Sequence, residues 1–358
     1  MTEKYDPYEI NITDLSLYIC DYCNLSCDHC YLSKGKTTIN MDWIKWTIDK
    51  YPIEKAVLVG GEPTICPKLP EIIKILKEKK INITMSTNCK WMDWTKKKPG
   101  FNKMTKEDLV ETMKGIDSIQ ISIEGRAKFS NKIRGPRSFK RSINAVDFLK
   151  KNGFDVFFRM TYSKDNFNEI PYILDLAKEK KIDLILFPYK GQDSVPLDED
   201  EQERLYNTLW AYKKDDDKMH TWIAIPQFFC YVGEDDYCPA AKNLINIMPD
   251  GIITPCEMSI PPNHFILGDF KKGATKENLE KRIKFFIERI KTTDIECLTC
   301  RHHRICRSGC HETREYMNCP LKNQINIDYY LPDLKMTRQQ LKIKINKNIS
   351  IINKRKGC

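Results

Sequence analysis

Between Leu15 and Phe187 the chain alternates two hydrophobic rhythms. Short runs rich in β-branched residues read as buried strands at 15–19, 56–59, 81–86, 118–123, 156–161 and 184–187. Amphipathic helical patterns fall between them, near 41–50, 69–79, 106–114, 138–151 and 169–180. Strands alternating with helices predict a parallel sheet wrapped by helices, an α/β fold. Six such units are too few for an eight-stranded barrel but make a partial, (β/α)6 TIM-like one, with chemistry expected at the C-terminal ends of the strands. Past Phe187-Pro188 the sheet rhythm fades, and 198–214 reads as a charged, exposed helix. Leu341-Lys342-Ile343-Lys344-Ile345-Asn346 returns to a strand period. That segment suits packing on the barrel, strand addition to a partner, or a frayed tail.

Composition narrows the class. At 358 residues, 41% hydrophobic and 30% charged, the chain has material for one large core or two moderate ones. No apolar run approaches the roughly 18 residues of a membrane span. The first residues lack a basic-then-apolar signal, so the expectation is a cytosolic protein with no membrane partner. The net charge of +10 would invite nucleic acid, but eight basic residues and no acid lie in 335–358, leaving about +2 for the rest. That distribution argues against a nucleic-acid partner. The fifteen cysteines are odd in number and grouped at metal-type spacings, which favours reduced, metal-bound thiolates over disulfides.

The first group stands directly after the first strand, as Tyr22-Cys23-Asn24-Leu25-Ser26-Cys27-Asp28-His29-Cys30-Tyr31. Three thiolates at C-x3-C-x2-C can hold three corners of a 4Fe–4S cluster and leave the fourth iron open to a chelating ligand. A zinc site with a fourth ligand such as His29 is the alternative.

The flanking residues resemble the signature of the radical S-adenosylmethionine (SAM) enzymes. The resemblance implies that Cys23, Cys27 and Cys30 hold the cluster, that SAM chelates the open iron, and that Tyr22 belongs to the aromatic surround of the motif. Later strand ends resemble the same family. Gly60-Gly61-Glu62-Pro63 follows the second strand, where the family holds the SAM amino group; by itself it is also an ordinary turn. Ser86-Thr87-Asn88-Cys89 has a cysteine where relatives have glycine, either a small buried side chain or an extra thiol facing the site. Ser122 and Glu124 alternate onto one face of the fourth strand, and the resemblance assigns them to the ribose and methionine ends of SAM. Arg134 matches a family arginine and implies a partner for the SAM carboxylate. Arg159, an arginine inside an otherwise apolar strand, needs an anion: the SAM carboxylate, Glu124 or a substrate group.

In the second half, Cys238-x12-Gly251-x4-Cys256 and Cys297-x2-Cys300-x5-Cys306-x3-Cys310-x8-Cys319 resemble the SPASM domain, which carries two auxiliary 4Fe–4S clusters. A zinc knuckle is the alternative. The resemblance implies one cluster on Cys230, Cys238, Cys256 and Cys310, and a second on Cys297, Cys300, Cys306 and Cys319. Glu257 follows Cys256, where sulfatase-maturing members of the family carry a base that takes a proton as the substrate radical is oxidised; it also suits a surface acid. The implied organisation is a radical SAM partial barrel over 10–225, a SPASM domain over 226–322 and a basic tail over 323–358.

The activity implied is reductive cleavage of SAM to a 5′-deoxyadenosyl radical, hydrogen abstraction, and oxidation of the substrate through an auxiliary cluster, three clusters in all. The first expectation is modification of a peptide or protein side chain, as a cross-link or dehydrogenation. With a barrel that begins almost at the first residue, no leader-recognition domain is expected ahead of it. The expected partners are therefore a separate leader-peptide-binding protein and an electron donor such as flavodoxin or ferredoxin. Oxidation of a small molecule such as a sugar or amino alcohol is the second expectation. A non-catalytic iron–sulfur electron-transfer or sensing protein is the third.

Overall fold

Backbone hydrogen bonds join the strands edge to edge, and apolar residues at every second position bury one face under the helices. A computed structural model describes residues 10–94, 105–189, 197–215, 221–225, 229–230, 240–257, 259 and 265–290. In chain order it shows β1 (Asp14–Tyr18), α1 (Met41–Lys50), β2 (Lys55–Val59), α2 (Leu69–Glu78), β3 (Asn82–Thr87), α3 (Lys106–Met113) and β4 (Ser118–Ser122). There follow α4 (Ala127–Arg134), α5 (Ser138–Lys151), β5 (Asp155–Tyr162), α6 (Ile170–Lys180), β6 (Asp183–Pro188) and α7 (Glu199–Asp215). Then come β7 (Thr221–Ile225), β8 (Phe229–Cys230), β9 (Leu244–Ile247), β10 (Ile252–Thr254), β11 (Gly268–Asp269) and α8 (Lys276–Ile290).

Helix starts follow local chemistry. Asn40 caps α1 by accepting from the Asp42 N–H, and Thr105 and Asp108 form a reciprocal capping box on α3. The helix α4 has no capping side chain. Instead Glu169 holds its entry, accepting from the Arg126 N–H at 2.7 Å and from Arg126 Nη1 at 2.9 Å.

The described strands form one sheet in the order β11-β10-β9-β1-β2-β3-β4-β5-β6-β7-β8. Every pair from β9 through β1 to β7 is parallel, and the antiparallel pairs lie at the two ends. The fold is therefore α/β, a partial barrel, and the six expected strands are its centre. The sheet does not end at Phe187, however. β7 continues it beyond β6, and β9 returns from the later half of the chain to lie beside β1.

The sheet has two unlike faces. Leu17, Leu58, Ile83, Ile121, Phe158, Leu184 and Ile247 point toward the helices with no solvent exposure and join Ile44, Ile72, Val146 and Ile173 in one core. The inner face carries Ser16, Thr84, Ser86, Ser118, Gln120, Ser122 and Arg159, several of which bond to one another: Thr84 with Ser118 at 2.8 Å, and Ser86 Oγ donating to Gln120 Oε1 at 2.5 Å. Among the described residues no helix is long and apolar enough to cross a membrane.

Candidate active site

The cysteine loop leaves the C-terminal end of β1 and is braced from below by the turn after β2. Gly61 N–H donates to the Cys20 carbonyl at 2.8 Å and Glu62 N–H to the Tyr22 carbonyl at 3.0 Å. A Cβ on Gly60 would stand 2.4 Å from the Cys20 oxygen, and one on Gly61 would strike the Tyr22 carbonyl. Both glycines are thus required for the approach of two protein backbones, whatever else the turn binds. Cys23, Cys27 and Cys30 line one open cleft with about 1040 Å³ of empty space, open solvent at its mouth included. Burial pushes the Cys23 thiol up to about 11 and raises Cys27 as well, against the pull of Arg134, so each gives up its proton on binding metal.

The same cleft is lined by Gly60, Gly61, Glu62, Ser122, Arg134, Arg159 and Glu257. The Glu62 carboxylate is buried and takes hydrogen bonds from Thr64 N (3.2 Å), Thr64 Oγ1 (2.6 Å), Thr87 Oγ1 (2.8 Å) and Asn88 N (2.8 Å). Burial still raises its pKa. Arg134 Nε donates to Glu124 Oε1 at 2.6 Å, and its Nη1 lies 3.9 Å from the Cys27 sulfur. Burial pushes Glu124 up to about 7 even with Arg134 beside it. His29, in the cysteine loop, is held down to about 3 by burial and by the charges of Arg134 and Arg159, and is therefore neutral.

Arg159 meets its anion, which is Glu257. Nη2 donates to Glu257 Oε2 at 2.8 Å, Nη1 to Gln120 Oε1 at 3.2 Å, and the guanidinium lies over the Phe187 ring at 4.2 Å. Burial opposes the charge, but Glu257 raises the arginine's pKa overall. The other Glu257 oxygen accepts from Ser16 Oγ at 3.3 Å. A residue from beyond β10 therefore reaches into the barrel between β1 and β5, a juxtaposition that the sequence alone does not reveal.

Other expected residues lie elsewhere. The Tyr22 hydroxyl is 3.3 Å from Thr38 Oγ1, and Tyr22 is not among the cleft-lining residues. Glu124 sits behind Arg134, with Oε2 accepting from the Thr161 N–H at 2.8 Å. Cys89 has no exposure and φ of 57°, the conformation that suits glycine, and it belongs to the core. Cys256 is half-buried against the core. Cys230 ends β8, although its side chain lies outside the described residues, as do Cys238, Cys297, Cys300, Cys306, Cys310, Cys319 and the alternating tail.

The donor set fits an iron–sulfur cluster. Among the described residues no three His, Cys, Asp or Glu side chains converge enough to hold a single metal ion. Three thiols spread around one cleft suit a multi-iron body with one iron each.

Residues 17–177 match the family described as Radical SAM superfamily. The chain is 30% identical over 189 residues to Fe-coproporphyrin III synthase of Methanosarcina barkeri, a match covering 50% of this chain and 45% of that protein. It is 25% identical over 321 residues to mycofactocin maturase MftC of Mycobacterium tuberculosis, covering 84% of this chain and 78% of that one. The fold resembles that of SuiB from Streptococcus suis bound to S-adenosylmethionine, with a TM-score of 0.64 at 19% identity, covering 87% of this chain and 75% of SuiB. The chain thus spans less than half of the first relative and about three quarters of the other two.

Proposed function

Residues 17–177 are a radical SAM domain, and from that premise we propose an enzyme that oxidatively modifies a peptide or protein side chain. The observation that carries the reading is one cleft at the C-terminal ends of the strands. It unites Cys23, Cys27 and Cys30 with Glu257, which arrives from the later half of the chain. The similarity to a named maturase supports the peptide, because it runs over 84% of the chain and so extends past the barrel.

When bound, SAM and its 4Fe–4S cluster would supply a 5′-deoxyadenosyl radical that removes a hydrogen atom from the substrate. The chain's own groups do the rest. Cys23, Cys27 and Cys30 would hold the cluster, and the Gly60-Gly61-Glu62 turn would take the amino end of SAM. Ser122 would meet the ribose and methionine end of SAM, and Arg134 would offer a cation to its carboxylate, with Glu124, behind Arg134, acting through it. Glu257, steadied by Arg159 and Ser16, takes the proton released as the substrate is oxidised. Cys230, Cys238, Cys256 and Cys310 form one auxiliary site, and Cys297, Cys300, Cys306 and Cys319 the other. A flavodoxin or ferredoxin supplies the electron, and a separate protein presents the leader of the peptide.

A small-molecule substrate is the second reading, favoured by the likeness of half the chain to Fe-coproporphyrin III synthase. The test starts with iron, sulfide and zinc content after anaerobic reconstitution, then 5′-deoxyadenosine formation under reduction. Roughly twelve iron per chain is expected for three clusters. Zinc with little iron, or no SAM binding, would sink the enzyme reading and favour a sensing or electron-transfer protein. Peptides encoded near the gene are then compared with sugars and amino alcohols. Loss of two hydrogens from a peptide supports the first reading, and turnover of only a small molecule establishes the second.

A further inference from the structure

Asn88 directly follows β3, and its side chain has no part in the roles above. It is 7% exposed and lines the cleft together with Cys23. Each of its polar groups is committed. The backbone N–H donates to Glu62 Oε2 at 2.8 Å, and Oδ1 accepts from the Lys90 N–H at 2.8 Å, a local Asx turn. A peptide N–H can only donate, so that bond fixes which end of the amide is oxygen. Nδ2 therefore faces the cysteine loop, where it donates to Asn24 Oδ1 at 2.9 Å and to the Cys23 sulfur at 3.5 Å. A second N–H, from Leu25, reaches the same sulfur at 3.4 Å. Lys90 Nζ donates to the Asn24 carbonyl at 2.7 Å, a further tie between the turn and the loop.

We propose that Asn88 is a positioning residue for the first iron–sulfur cluster, whose amide donates to the Cys23 thiolate and raises the potential at which the cluster takes up its electron. The inference rests on Cys23 holding iron and is independent of the substrate. The amide nitrogen carries two protons; one serves Asn24 and the other is left for sulfur. A thiolate bound to iron has no proton and only accepts, so a bond that is weak to a thiol strengthens once the cysteine is a ligand. Reduction adds negative charge that spreads onto the cluster and its sulfur ligands. A donor at one of them stabilises the reduced state more than the oxidised one, and the potential rises. An electron donor then reduces the cluster more readily, and less driving force remains for passing the electron to SAM.

The test compares the parent, Asn88→Ser and Asn88→Asp as anaerobically reconstituted full chains. Both replacements keep an oxygen that accepts from the Lys90 N–H, so the turn is retained, and both withdraw the amide donor from Cys23. The readout is an EPR-monitored potentiometric titration of the cluster whose signal changes when SAM is added, which separates it from any auxiliary cluster. Asn88→Ser should lower the reduced-to-oxidised ratio at a fixed potential about tenfold, a negative shift of about 59 mV for one electron. Asn88→Asp adds a negative charge and should shift the potential further. In a single turnover from pre-reduced protein, 5′-deoxyadenosine should form faster in Asn88→Ser than in the parent, whereas a misplaced loop would slow it. An unchanged potential in the loaded variants overturns the assignment, as does a slower single turnover. Loss of iron from both variants overturns it too, by making Asn88 a support of the loop alone. Zinc with little iron in the parent removes the cluster and the inference together. A loaded parent with unshifted variants removes the inference and leaves the cluster intact.

Discussion

Toward the helices the central strands present Leu17, Ile121 and Phe158, all without exposure; turned over, the same strands present Ser16, Ser122 and Arg159. The outer face stabilises by area, about 25 cal/mol for each Å² of apolar surface removed from water. The inner face gains little that way. It is kept in order by pairing: Thr84 with Ser118, Ser86 with Gln120, and Arg159 with Glu257. The difference teaches that period-two alternation can separate stability from chemistry within a single five-residue strand. It also fixes the register, since a slip of one residue would exchange the faces and put leucines in the cleft.

The sharpest way to break this division is at the rim. Cys27→Ala should reduce SAM cleavage to background while leaving the urea midpoint nearly unchanged, because Cys27 lies outside the outer core. A large loss of stability would show that the loop supports the fold. On the outer face, Phe158→Ala should cost about 3–5 kcal/mol by leaving a cavity, yet spare 5′-deoxyadenosine formation per folded molecule. Cleavage that fell with stability intact would reverse the assignment of faces. On the inner face, Arg159→Leu strands Glu257 and should cost about 3 kcal/mol, with most of it regained in the double variant Arg159→Leu/Glu257→Leu. Denaturant melts of all four members of that cycle check it, and additive losses would mean that the pair is not coupled.

The smallest effect concerns pH. The Glu124 carboxyl is raised from 4.5 to about 7 by burial, only partly offset by Arg134. Its folded pKa thus lies above the unfolded one. The protonated form favours folding below about 4.5, and that contribution is lost as pH climbs through about 7. Glu124→Gln should flatten roughly 1–3 kcal/mol of this slope in the metal-free chain. Urea midpoints at pH 5 and 8 measure it, and parallel slopes for the two proteins would refute the burial argument.

Much of this was legible in the sequence. The first six strands and five of the helices follow from periods of 2 and 3.6 in apolar residues, and the expected bounds lie within about a residue or two of those found. Arg159 was legible as a buried cation needing an anion, but its partner was not, because Glu257 is 98 positions away and only the sheet order brings it near. The short α4 escaped notice because it lacks a capping side chain and depends on Glu169 from a distant turn. The strands β9 and β10 are only four and three residues long, too short a window for alternation to register.

The placing of β9 has a consequence in time. Asp14 pairs with Leu244, so one edge of β1 waits for its neighbour until roughly 230 more residues have been made, on the order of 10–50 s at the ribosome's usual pace. During that interval the thiol loop hangs from a strand with one bare edge, and Glu257 has not yet been made. The hazards of that period, such as stray zinc, oxidants and pairing with another nascent chain, are set by translation speed rather than by the stability of the finished fold. Slowing synthesis late in the message would lengthen that exposure, and speeding it would shorten it.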